Sequence, residues 1–292
     1  MKVLNFGRRQ DVGYENEKVQ NLTTMNIPTS ILISVGSALL TVLAFMCIRT
    51  LVIVGGAAVY VGKSKRAAER RVYRRDFAHG QFRSELLAGA VVLLFDAATI
   101  VAVRYLGWIQ PASFTLQNFL MTFAIAFVWY EIWFYATHRL MHTKPLYFIH
   151  AQHHVAKVTH PLTAMSFSLA ERTVLNTGAL GFVIVASHFL PVALEGYGLY
   201  FLFNYVLNVL GHTNVELLPK SFVKSSFGKV FITPTYHAMH HARYAGHYGL
   251  FTQVLDHAFK TRWQDYPEVH ARAADGRGLT SMSERIETAP EK

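Results

Sequence analysis

The chain has 292 residues, with 28 Lys and Arg against 18 Asp and Glu (formal charge +10), 52% hydrophobic and only 16% charged residues; its mean hydropathy is +0.23. A soluble domain carries about 25% charged residues, so this composition excludes an ordinary soluble domain and a disordered chain and points to a membrane protein. A single cysteine, Cys47, excludes an intramolecular disulfide framework and any multi-cysteine zinc or iron–sulfur site, and basic residues placed beside apolar segments argue for membrane orientation and against a nucleic-acid partner.

In chain order, residues 1–29 are polar and read as a tail. Residues 30–136 read as transmembrane helices. A run from Ile31 to Val61 is interrupted only by Arg49, and spans follow at about 84–106 and 114–136, each long enough for the roughly 20 residues that a crossing requires. Between the first two lies a basic loop, 62–83, with eight cationic side chains (Lys63, Lys65, Arg66, Arg70, Arg71, Arg74, Arg75, Arg83). Residues 137–264 hold the histidine motifs and two further membrane helices at about 174–212, divided near Pro191, and residues 265–292 read as a polar surface tail. The expected fold is an all-α integral membrane protein with four to five transmembrane helices and a cytosolic helical cap. With the basic loop cytoplasmic by the positive-inside rule, the segment ends alternate. That places His138, Glu171, His212 and everything after residue 213 on the cytoplasmic side of a bacterial inner membrane or endoplasmic reticulum.

Five of the fifteen histidines fall within residues 138–154 and three within 237–241. His138 and His142 are spaced i, i+4; His150, His153 and His154 are spaced i, i+3, i+4, and His237, His240 and His241 repeat that pattern. Residues three and four apart share a helix face, so each motif aims its imidazoles one way, and converging neutral imidazoles suit first-row divalent metals. Eight such ligands exceed one ion, and two ions are the natural count. His212, where the last span returns to the same side, is a ninth candidate; His160 and His247 are extra candidates within loop reach. A zinc-protease reading is weak, because HExxH is absent and neither HxxHH motif carries the glutamate base.

Glu131 lies seven residues before His138, on the same helical stripe. An ionisable residue inside an apolar span points to function, and the economical role is an acceptor that fixes the ring of a ligand histidine. Asp96 is similarly placed and is expected to pair with Arg104 or a helix neighbour. The aromatic run over 127–135 reads as packing or an interface belt.

The ordered motifs HRLMH, HAQHH, GHTNVELLP and PTYHAMHHAR, followed by HYGLFTQVLDHAFKT, resemble the histidine boxes of the fatty acid hydroxylase and sterol desaturase superfamily, from about Tyr130 to Thr261. The resemblance implies membrane helices under a cap that holds two iron ions, with zinc as a possible substitute. It assigns ligand roles to His138, His142, His150, His153, His154, His212, His237, His240 and His241. Two departures stand out. Ser168-Leu169-Ala170-Glu171 replaces the His-Pro-x-Glu element common in the family, and His247-Tyr248-Gly249 replaces Asn-Tyr-Gly, which makes His160 or His247 candidates for the displaced ligand.

On this reading the protein hydroxylates or desaturates an unactivated C–H position of a lipid, using O₂ and two electrons. Without a dinucleotide fingerprint in the sequence, those electrons are expected from an external donor such as a ferredoxin or a cytochrome b5-type protein. Alternatives are a non-redox dizinc lipid enzyme and a transition-metal transporter. A transporter predicts ionisable residues spread through the spans, whereas here they gather at one end.

Overall fold

A computed structural model describes residues 28–287; the expected N-terminal tail falls outside them apart from its last two residues. Among the described residues the regular structure is helical, with only isolated β-bridges besides. Helix α1 (Thr29–Thr50) continues through a π-helical turn at Leu51–Gly55 into α2 (Gly56–Lys63). Together they form a 35-residue apolar rod, about 52 Å long at 1.5 Å per residue. It stops where Ser64 turns extended and its Oγ accepts the Ala67 N–H, capping α3 (Lys65–Glu69).

Helix α4 (Gln81–Leu106) is bounded by Gly80 and Gly107, both at positive φ (73° and 64°), a conformation that glycine adopts without strain. Thr115 caps α5 (Leu116–Met141) through the Asn118 N–H. A short α6 (Tyr147–His150) follows, then α7 (Leu169–Ala186) and α8 (Leu194–Gly211). Four helices are long and apolar enough to cross a membrane: Thr29–Lys63, α4, α5 and α7.

The bundle has two distinct ends. At one, Ser34 meets Tyr105 (2.6 Å), the Gln110 N–H meets Ser187 Oγ (3.0 Å) and Ala112 pairs with Val192 (2.8 Å). At the other lie Lys63, Gln81, His138, Ser168 and His212. Within the bundle, small residues permit close helix approach. A Cβ on Gly178 would fall 2.1 Å from the Trp133 ring, and one on Gly196 would fall 2.3 Å from the Phe119 carbonyl oxygen. Trp129 and Trp133 donate their indole N–H groups to the Gly178 and Val174 carbonyls of α7. The aromatic run of α5 is therefore packing. Asp96 pairs bidentately with Arg172 of α7 at 2.7 Å, with Asn176 adding a third bond; its partner is a neighbouring helix, not Arg104.

Over the second end sits a cap built on α9 (Pro234–Arg243), α10 (Val254–Ala258) and α11 (Tyr266–Ala274). Its core joins Val72, Tyr73, Tyr236, Met239, Tyr266 and Leu279. Two stretches differ from the sequence expectation here. Residues 70–74 of the basic loop are threaded into the cap: Val72 bonds Asn214 and Leu279, and Glu216 bonds Arg70. Residues 265–287, expected as a surface tail, contain α11 and the buried Leu279. Tyr266, Val269, Ala273 and Leu279 are buried in the cap core with Met282 and Ile286 packed against it, and Asp265 closes a buried bidentate pair with Arg243 (2.6 and 2.8 Å).

Candidate metal centre

The nine boxed histidines gather into two groups. His138, His142, His150, His154 and His240 form one; His153, His212, His237 and His241 form the other; within each, the candidate donor atoms lie within 4.8 Å of one another. The helical spacing explains the sorting. His138 and His142 close α5 on one face. On α9, His237 and His241 point together, with Nε2 atoms 3.1 Å apart, while His240 faces the other group. The groups adjoin where the His154 and His241 rings lie 4.7 Å apart.

His150 Nδ1 lies 2.6 Å from Glu171 Oε1; in five of the other eight rings, Nδ1 faces a backbone carbonyl, which can only accept: His138 to Tyr248 O (3.0 Å), His153 to Ser166 O (3.2 Å), His212 to Asn208 O (2.7 Å), His240 to Gly246 O (2.8 Å) and His241 to Ala156 O (2.8 Å). In these five the ring proton is therefore held on Nδ1, and the Nε2 lone pair is turned inward. There the lone pairs of His153 and His212 meet at 3.2 Å, and the Nε2 atoms of His138 and His150 and of His154 and His240 likewise lie 3.1 Å apart. Two acceptors cannot bond each other. A shared cation resolves the conflict, and the residues fit that role. A tetrahedral ion with bonds of about 2.0–2.1 Å would hold its donors roughly 3.4 Å apart; the closer edges here suit a higher coordination number.

The electrostatics agree. Burial, reinforced by the neighbouring imidazoles, holds His150, His153, His154, His237 and His241 well below the ordinary histidine pKa. Burial likewise takes His212 and His240 down to about 4. The rings are thus neutral near neutral pH, the form that binds metal.

The other sequence candidates lie elsewhere. His160 caps a short 3₁₀ turn, its Nδ1 accepting the Leu162 N–H. His247 lies flat on Tyr236 (3.5 Å between ring centres), and both its nitrogens are bonded, Nδ1 to Tyr236 O and Nε2 to the Trp263 N–H. Neither joins a group. Glu131 does not touch a histidine: its carboxylate accepts the Phe251 and Thr252 N–H groups, each at 3.0 Å, and the Thr252 hydroxyl at 2.7 Å. The carboxylate that does reach one of the nine boxed histidines is Glu171, which sequence reading left without a role. Its signal was an acidic residue just before the span that begins near 174, at the one position where Ser168-Leu169-Ala170-Glu171 keeps the family's glutamate.

Beside the histidines lies a cavity of about 290 Å³. His150, His153, His212 and His237 form its polar wall, and Phe134, Leu207, Leu218 and Phe231 are among the apolar side chains that close the rest. Phe167 stacks on His153 at 4.8 Å and 10°, joining the two surfaces. Its volume and largely apolar lining suit it as a slot for an aliphatic chain laid against the histidines.

A bundle of membrane-length helices, ending in two adjoining groups of inward-turned imidazoles, defines a membrane protein of the polyhistidine metal-site class. Comparison with known proteins narrows this: residues 123–261 match the fatty acid hydroxylase family model, which bears out the resemblance drawn from the histidine motifs. The chain is similar to the very-long-chain aldehyde decarbonylase GL1-6 of Oryza sativa subsp. indica, 29% identical over 205 residues (66% of this chain, 30% of that protein). It is also similar to the very-long-chain aldehyde decarbonylase CER1 of Arabidopsis thaliana, 26% identical over 183 residues (61% and 28%). A third relative, the very-long-chain aldehyde decarbonylase GL1-1 of Oryza sativa subsp. japonica, is 37% identical over 132 residues (42% and 20%). The chain therefore spans less than a third of the length of these relatives. No solved structure gives a significant match.

Proposed function

We propose that this protein is a membrane-bound di-iron oxygenase that hydroxylates or desaturates an aliphatic position of a lipid. The observation that carries the reading is the contact between the two histidine groups and the apolar cavity. Two iron ions, held by the five- and four-histidine groups, would supply O₂ activation. Hydroxylation consumes O₂, two electrons and two protons and yields an alcohol and water; desaturation uses the same inputs and yields an alkene and two waters. The chain's residues do the rest. Phe134, Phe167 and Leu207 present the substrate chain and keep water from the site, and Glu171 holds the His150 proton on Nδ1. The electrons come from an external donor protein. The basic stretch at 62–83, at the same end as the histidines, sets that end on the cytoplasmic side.

A second reading follows from the relatives' names: an aldehyde lipid that loses its carbonyl carbon at the same site. Lipid mass spectrometry under ¹⁸O₂ separates the two. Cells expressing the wild type, compared with His153→Ala, are expected to accumulate a lipid that has gained one ¹⁸O or lost two hydrogens. A product one carbon shorter would favour the second reading. Two zinc ions per chain, in an active preparation indifferent to O₂, would reject oxygen chemistry.

A further inference from the structure

Below the histidines, among the membrane-length helices, lies a second cavity of about 80 Å³. Unlike the apolar slot, its wall is charged: Arg49, Asp96 and Arg172 line it together with Asn176, Asn204 and Asn208. Asp96 is fully engaged by Arg172 and Asn176. Arg49 is the surplus cation. Its guanidinium lies over the Tyr205 ring, 3.7 Å from the ring centre, no ion pair reaches it among the described residues, and its buried Nε has no hydrogen-bond partner. Asn208 Oδ1, also buried, has none either. Two guanidinium groups against one carboxylate leave the cavity one positive charge in excess.

Arg49 stands fourteen residues before the end of its helix at Lys63, about 21 Å along the axis. An unpaired cation at such depth is costly and marks a functional site. The space equals that of two or three waters at about 30 Å³ each, which admits a carboxylate and excludes a sterol ring. The two oxygens of a carboxylate match the guanidinium fork. Phe167 and Asn208 line both this cavity and the apolar slot. On the far side of that wall Phe167 stacks on His153, and the Asn208 carbonyl takes the His212 Nδ1 proton. A single layer of side chains separates the charged space from the four-histidine group.

We propose that the charged cavity is the head-group site for a long-chain carboxylate. Arg49 pairs with the carboxylate, Asn208 turns its Nδ2–H group to it, and the chain passes between Phe167 and Asn208, which part to admit it, into the apolar slot. The carbons nearest the head then lie beside His153 and His212. This deepens the lipid reading above and rests on it for the substrate's fate, but binding itself requires neither metal nor turnover.

The test uses the full chain in nanodiscs of zwitterionic lipid with [1-¹³C]hexadecanoate, read by NMR. The expected result is a second carboxyl resonance, absent from empty nanodiscs, that stays ionised while the lipid-dissolved acid titrates. Hexadecanol and hexadecanal should displace it about tenfold or more less effectively than unlabelled hexadecanoate, as the loss of a charge-assisted bond implies. Arg49→Lys should retain the resonance and Arg49→Met should abolish it. The wild-type spectrum is decisive even if a variant fails to fold. No second resonance, an unchanged one in Arg49→Met, or equal displacement by hexadecanol overturns the proposal. An oxygenated product made without any preference for the acid would reject the head-group site and leave the oxygenase reading standing; a bound, ionised carboxylate in a protein that makes no such product would do the reverse.

Discussion

His150 Nδ1 lies 2.6 Å from Glu171 Oε1, with both side chains almost wholly excluded from solvent. The bond ties the second histidine motif to the first turn of α7, where Ser168 caps the helix through the Glu171 N–H and donates its own hydroxyl to the Ile149 carbonyl. Glu171 thus sets the ring that faces both the five-histidine group and the apolar slot.

Glu171→Gln tests that role. The amide keeps the shape but loses the charge and can present N–H instead of oxygen to the ring, releasing its tautomer. Removing such a partner typically costs 10–100-fold in metal affinity or activity, so the chelator concentration that strips half of the metal on dialysis should fall by about that factor. Unchanged retention would show that the ring is held by packing alone.

His160→Ala and His247→Ala should leave metal content per chain as in the wild type, since neither ring joins a histidine group. His142→Ala should lower it: His142 Nε2 is buried in the five-histidine group and has no hydrogen-bond partner. His247→Ala is expected to destabilise the cap instead, because the Trp263 N–H loses its acceptor and Tyr236 its stacking ring. Elemental analysis and thermal melting on the same samples separate the two effects.

The contrast shows what could be read from sequence. Spacing at i, i+3 and i+4 makes convergence of His138, His142 and the two HxxHH motifs legible, because the helix itself enforces it. Which motif's i, i+4 pair joins which group was not, since it depends on how the motifs meet in space. Glu131 and Glu171 are both acids beside apolar stretches, one inside a span and one just before the next. Only the fold shows that one meets the 251–252 backbone and the other meets an imidazole. The cap was legible least, because residues 70–74 and 279 pair across some two hundred positions, and no local pattern records that.

Glu131→Ala should therefore act through the cap. Three donors, the N–H groups of Phe251 and Thr252 and the Thr252 hydroxyl, lose their acceptor in a buried setting, at about 1–3 kcal/mol for each group left unsatisfied. Phe251 also lines the apolar slot, so the expected signature is a lower melting temperature with weakened lipid binding, while metal retention under chelator changes much less than in Glu171→Gln.

The cap should also lose stability in acid. Burial alone would raise the Glu216 pKa, yet it is held below the ordinary value by His270, 3.5 Å away, by the Thr235 hydroxyl (2.6 Å) and by the Leu218 N–H (2.8 Å). Asp265 is lowered too, burial being outweighed by Arg243. With folded pKa values below the unfolded ones, the folded state binds fewer protons; this stability is present above the unfolded carboxylate values and is lost as pH falls through the lowered folded ones. Melting followed from pH 7 downward should drop steeply below about 4.5, and Glu216→Gln, less stable at pH 7, should show a shallower fall. Parallel pH profiles would show that Glu216 does not contribute.

Gly196→Ala tests the packing that places His212. Helix α8 crosses α5 so closely that the new methyl would meet the Phe119 carbonyl oxygen at 2.3 Å, with Cα at 3.1 Å. These are backbone atoms, with no rotamer to yield, so the helices must part. Overpacking of this kind costs about 1–3 kcal/mol. Because His212 sits at the C-terminal end of α8, displacement of the helix should also pull its ring from the four-histidine group. The variant is expected to melt lower and to hold less metal, with the loss concentrated in the ion bound by His153, His212, His237 and His241. Gly198→Ala, on the same helix with nothing within 4 Å of the added methyl, should match the wild type in both measurements; if the two variants behave alike, close approach at residue 196 is not what positions the histidine.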